Sequence, residues 1–214
     1  MEKLKNIFNW KSNPIIGSLL VSNILSNTGW AFVSPILAIY VVNNIEGGTI
    51  QVIGICYFIY WIVKSILQLF ISRSLDAVKG EGDDYMVLLL GQFLDVLVPL
   101  GFLFAHTPVE LYLIYLIYGI GDALYIPPWN AIFTRHVNPN RVSFQWSLDS
   151  SGFNLGAAFA IVIGSSLAVA FGFRTVFALV AVAEIIGLVI IGKMRPYFVG
   201  KKKKPIRYFF PLQR

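Results

Sequence analysis

Six long apolar stretches, at about 14–41, 50–71, 86–105, 111–133, 147–171 and 175–193, alternate with short polar segments along the 214 residues. Each is long enough to cross a hydrocarbon core of ~30 Å, which takes about 20 helical residues. With 57% hydrophobic and 13% charged residues and a mean hydropathy of +0.70, a water-soluble fold would leave much of this apolar surface in solvent. The runs are continuous rather than alternating in ten-residue units, which predicts helices and not a barrel. The expected fold class is an all-α membrane protein with six transmembrane helices.

Charge predicts the orientation. Lys3, Lys5 and Lys11, then Arg73 and Lys79, then Arg135 and Arg141, and a run from Lys193 to Arg214 all fall on one side of the alternation. The loops of the other side, 42–49, 106–110 and 172–174, hold only Arg174. Cytoplasmic loops retain Lys and Arg, so both termini are expected in the cytoplasm, with the plasma membrane as the expected location. The net charge of +6 then reads as this topological signal and not as a nucleic-acid footprint.

Three regions follow. Segment 1–13, with Ile7, Phe8 and Trp10 among lysines, is expected to lie at the interface, and 14–193 to form the six-helix domain. The basic tail 194–214, with Tyr208, Phe209 and Phe210, is expected to hold anionic lipid. The first apolar stretch is too long for a signal-peptide core and is expected to stay in the chain. The single cysteine, Cys56, excludes an internal disulfide framework. No zinc- or phosphate-binding signature occurs, so no metal and no cofactor is expected.

Polar residues within spans carry the functional signal, because in hydrocarbon they cost several kcal/mol unless they face protein or water. The first span has Asn23, Asn27, Trp30 and Ser34 at spacings of three and four. The second has Tyr57, Trp61, Lys64 and Gln68, and the fourth Tyr115, Tyr118, Asp122, Tyr125 and Trp129. Such spacings put each set on one helix face. Three stripes around a lysine and a carboxylate describe a hydrated, ligand-sized cleft on a substrate or proton pathway. The competing reading makes the aromatics packing and the amides interhelical glue.

Lys64 and Asp122 come within ~3 Å of the same depth at 1.5 Å of rise per residue, and so are expected partners. Asp95 and Glu184 also fall near mid-membrane. Three carboxylates against one lysine leave at least one acid without a basic partner, a candidate proton carrier. The alternative for Asp95 and Glu184 is a hydrogen bond to a neighbouring helix. Near the cytoplasmic ends, Arg73, Asp76, Arg135, Arg141 and Asp149 are expected to form a latch that gates the cleft.

Several segments are similar to one known family. Ser72-Arg73-Ser74-Leu75-Asp76-Ala77, after the second span, matches the acid of a Gly-x-x-x-Asp-(Arg/Lys)-x-Gly-Arg-(Arg/Lys) loop but lacks its glycines and following arginine. Tyr118-Gly119-Ile120-Gly121-Asp122 resembles an Arg-x-x-x-Gly-x-Gly fourth helix, with Tyr115 where the arginine would stand. Ile163-Gly164-Ser165-Ser166-Leu167 and Phe171-Gly172-Phe173-Arg174-Thr175-Val176-Phe177 are close to a Gly-Gly-x-Leu and Gly-Trp-Arg-x-x-Phe turn. With six spans and both ends inside, the chain resembles one half of the major facilitator superfamily, a half-size, six-helix member.

That resemblance implies a secondary transporter with a three-plus-three inverted repeat. Helices one, two, four and five would face the cavity and the other half, while three and six would support them. The missing fourth-helix arginine departs from the usual proton-coupling arrangement. The antiporter proline of the fifth helix is missing too, with Ile161 near its place. A complete chain of this length would need a partner, and a parallel homodimer across Gly152, Gly156, Ala160 and Gly164 is expected, since small-xxx-small strips drive helix association in lipid. The strip's alternative seat is another span of the same chain.

Enzyme classes fit poorly. A rhomboid-type protease needs an intramembrane histidine, whereas His106 and His136 lie at span ends; headgroup transferases need clustered aspartates that the loop with Asp76, Asp83 and Asp84 does not space correctly. Water channels need paired Asn-Pro-Ala half-helices, which do not occur. The remaining competitor is a scaffold or accessory subunit that keeps the fold without transporting.

Overall fold

A proline at position 35 breaks the first span in two. In the computed structural model, which describes residues 13–78 and 80–199, the span runs as Pro14–Val33, turns at Ser34-Pro35-Ile36 and resumes as Leu37–Asn44. Proline lacks the N–H that would continue the ladder, and its ring crowds the preceding turn. The next five spans are Ile50–Ala77, Glu81–Phe104, Pro108–His136, Val142–Phe171 and Phe173–Gly192. A short helix, Arg195–Phe198, follows. Among the described residues, six helical segments are long and apolar enough to cross a membrane.

Local chemistry sets the span ends. The Asn13 side chain accepts from the Ile16 N–H at 3.4 Å, and Thr49 does the same for Val52 at 3.3 Å, so each caps its helix. Thr107 and Glu110 form a reciprocal capping box at the fourth span. Between the fifth and sixth spans Gly172 sits at φ +82°, a left-handed conformation that glycine reaches without a Cβ penalty.

The helices run past the apolar stretches at their charged ends. The second continues through Arg73 and Asp76 to Ala77, so the segment 72–77 is helical and not a loop. It contains no glycine or proline, and hydropathy alone stops where charge begins. The third begins at Glu81 and takes in Asp83 and Asp84. Acidic residues in a first turn complement the helix dipole.

The fourth span packs on the second and third, the first packs on the fifth and sixth, and the third and sixth meet at the back. The second and fifth spans are therefore the edges of the bundle and its least buried members. Two apolar layers hold the helices together. One, around Tyr40, Phe102, Tyr115 and Phe177, lies at the end opposite the termini. The other, around Leu19, Tyr85, Phe133 and Phe198, lies at the terminal end. Between them runs a polar layer with Lys64, Asp95, Asp122 and Glu184. Segment 1–12 lies outside the described residues, as do Lys3, Lys5, Lys11, Lys79 and residues 200–214 of the basic tail.

Candidate functional site

Lys64 and Asp122 stand near the middles of the second and fourth spans and meet at 2.8 Å. One turn before Lys64, on the same helix face, Tyr60 closes a triangle. Lys64 Nζ donates to the Tyr60 hydroxyl at 2.7 Å, and that hydroxyl donates to the same Asp122 oxygen that Lys64 binds. Lys64 Nζ also lies 5.0 Å from the Tyr60 ring centroid and 5.1 Å from that of Trp61, within range of cation–π attraction. Only 13% of the Lys64 side chain and 16% of Asp122 are exposed. A charge this deep is tolerated when it is paired and faces protein or water.

The aromatic stripes meet around this pair. Trp30 of the first span stacks on Tyr118 of the fourth with centroids 4.8 Å apart, and Tyr118 lies 4.6 Å from Tyr60. Tyr57 contacts Tyr115 edge-on at 5.4 Å. Tyr57 and Trp61 remain exposed, whereas Tyr115 is buried in the apolar layer with Cys56 and Phe102 and serves packing. Gln68 is half-buried a turn beyond Lys64, and Ser34 is exposed at the break of the first span.

Toward the terminal end the remaining stripe members line a cavity of about 300 Å³. Asn23, Asn27, Tyr125 and Trp129 contribute, together with Trp146 and Asp149 of the fifth span. Asn23 Nδ2 donates to Asp149 Oδ1 at 2.9 Å and Oδ2 at 3.2 Å. Asn27 Nδ2 donates to Asn23 Oδ1 at 3.0 Å, which fixes the Asn23 amide with its nitrogen toward the carboxylate.

The acids of the third and sixth spans behave differently from each other. Glu184 is fully buried; Ser26 Oγ donates to one oxygen at 2.6 Å and Gln92 Nε2 to the other at 2.6 Å. Both oxygens are satisfied by neighbouring helices, the arrangement of a structural acid. Asp95 is also buried, but among the described residues its Oδ1 has no hydrogen-bond partner. It lies within electrostatic reach of Asp122, Glu184 and Lys64. Gly121 makes room for it, since a Cβ there would come within 2.3 Å of Asp95 Oδ1.

Two of the five expected latch residues, Arg135 and Asp149, have separate partners. Arg135 pairs with Glu81 at 3.6 Å and with Asp84, both at the start of the third span. His136 Nε2 lies 3.6 Å from Glu81. Asp149 faces Asn23, and Arg73, Asp76 and Arg141 are exposed. Of the expected latch residues Arg73, Asp76, Arg135, Arg141 and Asp149, Arg135 thus joins Glu81 and Asp84 in a buried cluster. The antiparallel third and fourth spans bring those ends to one level.

The glycine strip also has a different neighbour. A Cβ on Gly152 would lie 2.3 Å from Ile24, one on Gly156 2.1 Å from Thr28, and one on Gly164 2.5 Å from the Phe32 carbonyl oxygen. Ala160 is buried. Ile24, Thr28 and Phe32 recur every four residues and form the complementary ridge on the first span. Gly152, Gly156, Ala160 and Gly164 therefore seat the first span of the same chain, which corrects their assignment to an interface between copies.

Several participants lay outside the expected set. Tyr60 is four residues before Lys64, a spacing that marks it. Glu81 and Asp84 belong to an acidic run, Glu81 to Asp84, whose pairing with Arg135 some fifty residues later the sequence does not show. Trp146, Ser26 and Gln92 sit at helical spacing from Asp149, Ser22 and Asp95 in turn, a signal the reading of the charged stripes passed over.

Residues 19–210 match the family profile described as Major Facilitator Superfamily. Multidrug resistance protein MdtG of Klebsiella pneumoniae (strain 342) is 22% identical over 185 residues, covering 85% of this chain and 44% of that protein. MdtG of Enterobacter lignolyticus (strain SCF1) is 23% identical over 182 residues, covering 85% and 43%. The chain thus spans less than half the length of the curated relatives it matches. Among solved structures, the peptide transporter POT in complex with sulfate superposes with a TM-score of 0.72 at 18% identity, covering 91% of this chain and 40% of that one. This likeness establishes the fold.

Proposed function

This chain belongs to the Major Facilitator Superfamily, and on that premise we propose that it forms a six-helix unit of a secondary transporter that moves a small solute by alternating access. The carrying observation is the Lys64–Asp122 pair, closed by Tyr60 and walled by Trp30 and Tyr118. Ionisable groups held in mid-membrane mark substrate and ion paths. Membership of this family supports a solute or proton gradient as the energy source. Asp122 is the leading titratable site, and Lys64 is its partner or the substrate's.

Orientation and assembly belong to the same proposal. The distribution of basic residues supports termini in the cytoplasm. The matching neighbourhoods of the first and fourth spans support a three-plus-three inverted repeat. A second six-helix unit would close the open face, and a second copy related by a two-fold axis along the membrane normal is one source of it. The edge spans offer apolar surface for it: Leu69 and Phe70 on the second and Phe159 and Val162 on the fifth are 65–70% exposed. The basic tail would rest on anionic lipid.

The test is a thermal-shift screen of the purified chain against sugars, organic acids, dipeptides and amphipathic drugs, since binding to the folded state raises stability by mass action. Compounds that shift the unfolding temperature are then assayed for uptake into proteoliposomes. Uptake of at least one above protein-free liposomes is the expected result. Binding without uptake would favour a non-transporting role.

A further inference from the structure

The cavity between the first, fourth and fifth spans has chemistry unlike that of the Lys64–Asp122 centre. Among the described residues its lining includes one carboxylate, Asp149, and no lysine, arginine or histidine. Asp149 lies seven residues into the fifth span, so about 10 Å from that helix end at 1.5 Å per residue. At that depth a carboxylate is favoured by a nearby positive charge. The lysine of the centre is committed to Asp122, and Arg135 to Glu81 and Asp84. What Asp149 has inside the cavity is a neutral amide, Asn23, donating to both its oxygens. That amide is itself held by Asn27, so the carboxylate is aimed without being neutralised.

Aromatic rings stand around it. Trp129 and Trp146 meet edge-on with centroids 6.0 Å apart. Phe133 buttresses both, stacked on Trp129 at 4.8 Å and edge-on to Trp146 at 4.7 Å. Trp129 also donates from Nε1 to the Leu19 carbonyl at 3.4 Å, which locks the indole in place. Phe153 completes the wall. Tryptophan faces attract cations, most strongly where water is excluded, and quaternary ammonium groups suit such walls. A volume of about 300 Å³ is at the small end for organic ligands.

We propose that this cavity is a binding site for a small organic cation, a quaternary or tertiary ammonium, with Asp149 as its counter-ion and Trp129 and Trp146 as its walls. An organic anion is repelled by Asp149 and finds no cationic donor in the lining. A polyol fills the space but leaves the carboxylate without a counter-charge. That the cation is cargo rests on the transport reading above; that it binds does not.

Labelled benzyltrimethylammonium is titrated against the full chain in lipid nanodiscs, with choline and its uncharged carbon counterpart neohexyl alcohol as competitors. The expected result is saturable binding displaced by choline and at least ten-fold less effectively by neohexyl alcohol. Asp149→Asn should weaken binding at least ten-fold, and Trp146→Leu, at a partly exposed position, several-fold, with thermal unfolding followed in parallel. Equal displacement by the neutral alcohol, undiminished affinity in a folded Asp149→Asn variant, or no saturable binding at millimolar concentration would each overturn the assignment. If Asp149→Asn does not fold, Trp146→Leu and the charged-to-neutral competitor ratio decide the matter. Saturable binding without flux in proteoliposomes would sustain the site and count against transport. Flux of other solutes with no benzyltrimethylammonium binding would do the reverse.

Discussion

Asn23 on the first span donates to both carboxylate oxygens of Asp149 on the fifth, at 2.9 and 3.2 Å. This relationship separates Asp149 from the other acids of the bundle. Asp122 faces a cation and a phenol, and Glu184 two neutral donors that saturate it. Asp95 keeps one oxygen unpartnered among the described residues. Four acids in one small bundle thus have four different partner sets, and substitutions at each should fail in different ways.

For the Lys64–Asp122 pair, removing one partner should cost more than removing both. An uncompensated charge left in a shielded position typically destabilises by about 3–5 kcal/mol, whereas replacing a whole pair with neutral groups is often close to neutral. Lys64→Met is expected to lower the unfolding temperature of the purified protein, and Lys64→Met with Asp122→Asn to recover most of the loss. Equal destabilisation in the single and double variants would argue against the pairing.

Glu184 tests the opposite case. Glu184→Ala leaves the half-buried Ser26 hydroxyl and the buried Gln92 amide without this acceptor, at a cost of about 1–3 kcal/mol. Thermal unfolding should register that loss. Uptake by the protein that remains folded should keep its parent dependence on pH, because both oxygens of this acid are already spent on interhelical bonds. A lost or shifted pH dependence would put Glu184 on the proton path.

Gly156→Leu is expected to disrupt the chain's own fold before any assembly. The added side chain would press into Thr28 on the first span, and overpacking of this kind costs about 1–3 kcal/mol or more. Size-exclusion profiles and thermal unfolding should show a destabilised or aggregated protomer. A stable monomer with its unfolding temperature unchanged would restore the strip to an interface between copies.

At the terminal end, Arg135→Ala should be the damaging change, because it removes a cation paired with two buried acids, Glu81 and Asp84. Arg73→Ala and Asp76→Ala, at exposed positions, should leave the unfolding temperature where it was. The reverse order in a thermal-unfolding comparison would favour the latch expected from the family loop.

How far this was legible in the sequence depends on the physics of each feature. The spans were, because continuous apolar runs can be neutralised in few other ways, and only their charged ends were cut short. The Lys64–Asp122 encounter was legible as well, since helical rise converts sequence distance into depth. The glycine strip was ambiguous in principle: a small-residue face admits a close neighbour without saying which chain supplies it. Only the matching ridge of Ile24, Thr28 and Phe32 decides that, and its register depends on helix rotation. Asp149 near the inner end was expected in a latch with basic residues, whereas the fold turns it against Asn23. Loop-based reading also hid the acids that pair with Arg135, which belong to a helix start beyond the apolar stretch.

Solute-dependent proton movement tests the Lys64–Asp122 centre most directly. Proteoliposomes containing a pH-sensitive dye in the lumen are diluted into the panel of sugars, organic acids, dipeptides and quaternary ammonium compounds, and the lumenal signal is followed for the parent protein and for Asp122→Asn. The parent should give a solute-dependent pH change with at least one compound, and Asp122→Asn, inserted to the same level, should give none. An unchanged signal in Asp122→Asn would remove this carboxylate, and with it the proposed coupling centre, from the mechanism.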